Sequence, residues 1–202
     1  EIGKAGAIIP PNDRIEKENY YLNKKMAVCI VEIADDEKRG REIIVSRTHN
    51  GLLEGLLRRE VPEVASGSVT IKEIVREPGS RAKIAVHSDQ SGIDPVGSCV
   101  GQKGVRIQAV IDAVDGLEKI DVIQWNSDTS RFIANALSPA KNLTIELNEK
   151  EKVATVKAPK EELPLIIGKE GQNVRLASKL TGYNIEVEGI EAPLEPELEE
   201  KA

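Results

Sequence analysis

The sequence predicts an α+β chain, a strand-rich opening third followed by two copies of one α-β-β-α-α-β unit. Three observations carry that prediction. The segment Val100-Gly101-Gln102-Lys103-Gly104 recurs as Ile167-Gly168-Lys169-Glu170-Gly171, 67 residues further on. Around each copy the spacing of apolar residues switches between the helical and the strand period in the same order. Finally, 202 residues with 40% hydrophobic and 31% charged side chains are enough to bury a core, and no apolar run approaches the roughly 18 residues of a membrane span.

In the opening third, residues 26–31 and 42–45 read as two antiparallel strands joined by a charged loop over 35–41. Residues 2–9 supply a third strand before Pro10-Pro11-Asn12-Asp13 turns the chain. Three strands cannot close a barrel alone. After Asn50, read as an N-cap, Leu52, Leu53, Leu56 and Leu57 share one helical face until Pro62 stops the helix. The first copy continues with strands over 69–76 and 82–87, a short helix before Gly101, a longer one to Val114 and a strand over 120–125. The second has a helix over 129–137, strands over 143–147 and 153–158, a helix before Gly168, another to Leu180 and a strand over 184–187.

Each glycine loop joins two helices, with an apolar residue, Val100 or Ile167, just ahead of it. The helical stripe resumes at Ile107 and Val110 in one copy and at Val174 and Ala177 in the other. Glycines at such corners allow tight turning and close approach of another backbone. The following helix start offers unpaired N–H groups and a positive dipole end, the natural neighbours of phosphate. Lys103 and Lys169 add a cation each. Such a loop suits the clamping of sugar and phosphate along one edge of a shallow apolar groove, with bases laid across aliphatic side chains. A lone Gly-x-x-Gly more often marks only a turn; two in one frame point to a shared task. A nucleotide-hydrolase phosphate loop fails on spacing, because it requires Gly at position 102 and a hydroxyl at 104. Tyr20, Tyr21, Trp125, Phe132 and Tyr183 are all the aromatics, which excludes recognition by rows of stacked rings.

These residues resemble a known family. Gly-x-x-Gly between flanking helices is the mark of KH domains, and the order of elements resembles the bacterial, type II form. Residues 78–86 (Pro-Gly-Ser-Arg-Ala-Lys-Ile-Ala-Val), 94–101 (Asp-Pro-Val-Gly-Ser-Cys-Val-Gly) and 167–177 resemble the tandem KH region of the NusA family of bacterial transcription factors. The resemblance covers nearly the whole chain. Ahead of it, residues 1–48 look like the later strands of an OB-type barrel of the S1 kind, with Ser46-Arg47-Thr48 similar to the family's exit from that barrel.

The Glu- and Pro-rich run at the end reads as an acidic disordered tail over 190–202. The resemblance implies an incomplete OB-type barrel over 1–48 and KH domains over 49–126 and 127–189. It further implies the RNA-binding region of a cytoplasmic elongation factor. Such a region binds single-stranded nascent RNA and works with RNA polymerase and other elongation or antitermination factors to modulate pausing, termination and antitermination. No catalytic residue, cofactor, metal or membrane contact is expected, and a monomer is. The alternative is a protein-interaction module whose KH grooves have lost RNA. The chain opens with Glu1 and lacks the barrel's first strands and the family's amino-terminal polymerase-binding domain. It therefore reads as a fragment that keeps RNA binding better than polymerase control.

The candidate RNA-binding residues are Val100, Gly101, Gln102, Lys103, Gly104 and Arg106, then Ile167, Gly168, Lys169, Glu170, Gly171, Gln172, Asn173 and Arg175. Glu170 cancels Lys169, so the second loop should hold phosphate more weakly unless Arg175 reaches round. Arg81 and Lys83 lie on a strand hairpin, either touching RNA backbone or on a solvated face. Lys24-Lys25 and Arg58-Arg59 read as solvated faces. Trp125 either packs between the repeats or stacks a base. His49 and His87 have no cysteine near them in sequence, and Cys29 and Cys99 belong to no paired motif, so a reduced, zinc-free protein is expected. Cys99 should pack behind the first loop. The linker over 126–128 is short enough to predict a rigid pair of repeats, with one RNA strand crossing both grooves. The net charge of −6 resides entirely in residues 185–202, leaving 1–184 neutral, so the acidity says little about the RNA-facing surface.

Overall fold

The structure, a computed structural model, describes residues 1–3, 5–36 and 40–191, with side chains at 35, 36, 40 and 41 left aside. Most of the expected acidic tail lies outside the described residues. By its internal contacts the chain divides into one unit ending at Trp125 and a second beginning at Asn126.

The first unit opens with strands β1 (Ala7–Ile8), β2 (Cys29–Asp36) and β3 (Gly40–Ser46). They form a sheet in the order β1-β3-β2, with β1 parallel and β2 antiparallel to β3. The second strand starts at Cys29 rather than at position 26, and a bulge between Ile30 and Glu32 shifts its register. Among the described residues no closed barrel forms; a three-stranded sheet keeps two edges. Arg47 fastens this part to the helices that follow. It is fully buried: Nε and Nη2 both donate to the Glu18 carboxylate, and Nη1 donates to the carbonyls of Ala27 and Ala113. Lys24 is not on a solvated face. Its ammonium donates to the Asn19 carbonyl at 2.8 Å and pairs with Asp115, which draws the side chain inward.

The leucine stripe forms α1 (Asn50–Glu60), but the N-cap is His49, whose Nδ1 accepts the Gly51 N–H at 3.0 Å. Pro62 forces Val61 into an extended conformation, which ends α1 and starts the single turn α2 (Pro62–Ala65). Strands β4 (Thr70–Glu77) and β5 (Arg81–His87) pair antiparallel, then α3 (Pro95–Val100) and α4 (Val105–Ala113) lead to β6 (Lys119–Gln124), parallel to β5. Leu53, Leu57, Ile84, Val86, Cys99 and Val110 close the core beneath the helices. Each large aliphatic side chain so buried stabilises the fold by about 1.5–3 kcal/mol.

The second unit repeats the plan with α5 (Thr129–Ala136), β7 (Thr144–Asn148), β8 (Val153–Pro159), α6 (Leu163–Ile167), α7 (Gln172–Thr181) and β9 (Asn184–Ile190). Its sheet, β7-β8-β9, has the same directions as β4-β5-β6. Ile133, Leu137, Val156, Ile166 and Leu176 are fully buried. The last strand runs three residues beyond its predicted end, to Ile190.

Lys83 corrects the expectation of a solvated strand face. Its side chain is fully buried, with Nζ 3.1 Å from Asp121 Oδ2 on the neighbouring parallel strand. Desolvation pulls its pKa down, and Asp121 opposes that shift. A buried ammonium is out of reach of RNA. Arg81, partly exposed, pairs with the same carboxylate at 2.8 Å.

Candidate nucleic-acid interface

The two glycine loops adopt one backbone conformation twice. Gly101 has φ 74° and ψ 174°, Lys103 φ 52°, and Gly104 φ 78°. At the matching positions Gly168 has φ 72° and ψ 178°, Glu170 φ 53°, and Gly171 φ 70°. Gly101 and Gly168 occupy a region of backbone space that is essentially closed to other residues. Each loop delivers the chain into a helix whose N-cap, Gly104 or Gly171, makes no side-chain capping bond. The N–H groups of Val105 and Gln172 close the turn on the carbonyls of Gln102 and Lys169, and no side chain from the N-cap covers the N–H groups that follow, which suits an external acceptor.

The cations stand on different corners of the same turn. In the first loop, exposed Lys103 occupies the left-handed position; in the second, Glu170 does, and Lys169 precedes it. Neither lysine ammonium has a partner among the described residues. Arg175 does reach round: its Nη1 donates to the Glu170 carbonyl at 3.1 Å, which brings a guanidinium to the second loop.

Arg106 and Asn173 have a different task from the one expected of them. Both stand five residues after the first glycine, and both turn back beneath the loop to the same carbonyl of the preceding helix. Arg106 Nη1 donates to Ser98 O at 2.7 Å, and Asn173 Nδ2 donates to the equivalent Leu165 O at 2.9 Å and to Ile166 O at 3.2 Å. They are clasps that hold the turn. Asn173 is 1% exposed, so direct contact with a ligand is excluded. A side chain on the glycine would strike the clasp: a Cβ on Gly101 would lie 2.8 Å from Arg106 Cγ, and one on Gly168 would lie 2.8 Å from Asn173 Cβ and 3.0 Å from its backbone nitrogen.

Beside the first loop lies an open groove of about 820 Å³, lined by Ile93, Asp94, Gly97, Val105, Arg106 and Glu63 among others. Val105 is 67% exposed, an apolar surface without cover at the mouth of a groove.

Residues 47–125 match the NusA-like first KH domain family and residues 129–195 the NusA-like second KH domain family. Transcription termination/antitermination protein NusA of Bacillus subtilis is 48% identical over 186 residues, 92% of this chain and 50% of that protein. The chain belongs to the NusA family. The protein of the same name from Thermus thermophilus is 49% identical over 191 residues, 95% of this chain and 49% of its own length. The chain thus spans about half the length of the curated NusA relatives it matches.

Within this NusA-type frame the remaining candidates fall into place as packing groups. Cys99 is fully buried behind the first loop, and desolvation pushes its thiol up to about 11. Cys29 approaches a histidine that sequence separation hides, with Sγ 3.6 Å from His49 Nδ1. That nitrogen already accepts the Gly51 N–H, so the pair closes a helix end and does not activate the thiol, whose pKa burial and Glu54 raise. At pH 8 a thiol reagent should therefore modify Cys29 first and Cys99 only on unfolding; equal rates in the folded protein would contradict this burial. Trp125 meets His87 edge-on at 5.0 Å, and the Lys72 ammonium lies 5.0 Å from its ring centre. Among the described residues no group of three or more His, Cys, Asp or Glu is placed to hold a metal ion, and no helix is long and apolar enough to cross a membrane.

Proposed function

We propose that this chain is the RNA-holding part of a bacterial transcription termination/antitermination factor, gripping single-stranded RNA by its backbone at both KH loops. One observation supports the reading: the same strained turn occurs twice, each time ahead of a helix start without a side-chain cap and beside an exposed lysine that has no partner among the described residues. Uncapped N–H groups and a mobile ammonium together bind phosphate oxygens, and the groove beside the first loop offers Ile93 and Val105 to bases. In the same reading the β1-β3-β2 sheet is the end of an S1-type barrel. RNA polymerase and other elongation factors are the protein partners, and the cytoplasm is the compartment.

Replacing Gln102 and Lys103 together by Asp, and separately Lys169 and Glu170 by Asp, places repelling charge at one loop at a time. Asp tolerates the left-handed position, and the loops are exposed, so folding should be unaffected. Each variant should weaken binding of single-stranded RNA about tenfold, ~1.4 kcal/mol, with the unfolding midpoint unchanged. Unaltered affinity in both would reject the clamp and leave the protein-interaction module in its place.

A further inference from the structure

Arg106 is held along its whole length. Its stem lies against the first glycine of the loop, where a Cβ on Gly101 would meet Arg106 Cγ at 2.8 Å and Cδ at 3.0 Å. Its head donates from one nitrogen, Nη1, to two acceptors, Ser98 O at 2.7 Å and Glu63 Oε2 at 3.0 Å. Ser98 belongs to α3, the helix that leads into the loop. Glu63 comes 43 residues before the arginine, on the turn α2, which is fixed independently of the loop. The Val61 N–H bonds to the Leu57 carbonyl of α1, the Glu63 carbonyl accepts the Val69 N–H at 2.8 Å, and Val61 and Val64 are buried in the core. A carboxylate beside an anion-binding loop works against phosphate by its charge. Asp94, on the same groove, has a local task, since it accepts the Val96 N–H at 3.0 Å and caps α3. Glu63 has no capping task, and among the described residues its carboxylate has Arg106 as its one partner. The second copy lacks such a brace. The counterpart of Arg106 there is Asn173, whose amide bonds both go to carbonyls of α6, the helix leading into its own loop, and whose Oδ1 has no hydrogen-bond partner among the described residues.

We propose that Glu63 is a positioning residue for the first loop, acting through Arg106 to hold the loop in the shape that grips phosphate. This rests on the RNA-clamp reading above. Gly101 at φ 74° and Lys103 at φ 52° occupy costly regions of backbone space, which persist only where the surroundings enforce them. The arginine stem beneath Gly101 is part of that enforcement. Without Glu63 the guanidinium keeps a single carbonyl, and its long side chain regains rotamer freedom. The loop then samples shapes in which the lysine and the helix start no longer converge on one phosphate. A loop that must be ordered as it binds holds its ligand more weakly than one ordered beforehand. Charge and position therefore act in opposite directions at Glu63. Deleting the carboxylate removes a repulsion, which by itself tightens RNA binding, and it loosens the clasp, which weakens binding. The direction of the change tells which of the two dominates, and the brace requires that it be position. In the second loop the clasp is closed within α6 and α7, so Glu63 has no part in it.

The test uses the full chain in two backgrounds, with a short single-stranded RNA of mixed sequence as probe. Lys169→Asp with Glu170→Asp leaves the first loop to carry binding, and Gln102→Asp with Lys103→Asp leaves the second. Where the first loop carries binding, Glu63→Ala should weaken it about fivefold. Glu63→Gln, which keeps an oxygen for Arg106, should restore it to within about twofold. Where the second loop carries binding, Glu63→Ala should leave the affinity unchanged. Three results would overturn the brace while leaving the clamp intact: tighter or unaltered binding by Glu63→Ala in the first background, an equal loss in both backgrounds, or no rescue by Glu63→Gln. If the two loop-reversed backgrounds bind as tightly as the parent chain, the clamp itself fails, and the brace with it.

Discussion

Replacing Arg76 by Met should lower the unfolding free energy of the first unit by about 3–5 kcal/mol. Arg76 and Glu118 form a bidentate pair, Nε to Oε2 at 2.7 Å and Nη2 to Oε1 at 2.6 Å, and both side chains are fully buried. The same two residues hold two further pieces of chain. Arg76 Nη1 donates to the His49 carbonyl at the start of α1, and Glu118 Oε1 accepts the Gly79 N–H in the turn between β4 and β5. Removing the guanidinium strands a carboxylate in the interior with one backbone N–H for company. Small domains are stable by only about 5–15 kcal/mol, so this is a large fraction of the total. Denaturant unfolding followed by the fluorescence of Trp125, which lies in the first unit, measures the loss. The double replacement Arg76→Met with Glu118→Leu should recover most of it, since a buried ion pair is a weak source of net stability once both charges leave together. Arg58→Met is the control: its partner Glu54 is four residues away on the surface of α1, and the change should stay within about 0.5 kcal/mol.

Gly168→Ala should disable the second loop. A methyl group there is strained by the backbone conformation, at about 1–3 kcal/mol. It also meets the Asn173 backbone nitrogen at 3.0 Å, an atom that cannot move without moving α7. Asn173 would lose its hold on the Leu165 and Ile166 carbonyls, and the helix start would no longer face the loop. Affinity for single-stranded RNA should fall at least as far as in the charge-reversed second loop. Gly171→Ala is the milder change. A Cβ there meets nothing within 4 Å, and the left-handed conformation alone opposes it, by about 1–2 kcal/mol. Equal effects from Gly168→Ala and Gly171→Ala would show that the clasp beneath the loop is unimportant.

The repeat was legible because both signals behind it are local. Glycine spacing and the helical and strand periods survive in the chain as written, and the structure returns every helix and strand of both copies within a few residues. The clasp was not legible. Arg106 and Asn173 sit where a phosphate-facing side chain would, and only the positive φ of the glycine five residues earlier turns them under the loop. Their different chemistry, a guanidinium and an amide, also hides that they reach equivalent carbonyls. Glu63 was missed because the groove wall is assembled across 43 residues, by a helical turn that exists only because Pro62 restarts the chain. Lys83 misled for a related reason. Its polarity reads as surface, and the carboxylate that lets it be buried lies 38 residues on, set opposite by parallel pairing. His49 displaced Asn50 as the cap because a ring nitrogen accepted the bond that a shorter side chain usually takes.

The central claim is that both loops grip RNA by its backbone. The most direct measurement is the affinity of single-stranded RNA across a range of salt concentrations, for the chain and its two charge-reversed loop variants. A loop that neutralises one phosphate contributes about 0.7 to the slope of log affinity against log salt. Each variant should therefore bind more weakly and lose about that much slope, with duplex RNA binding poorly throughout. Slopes and affinities identical in all three proteins would contradict the account.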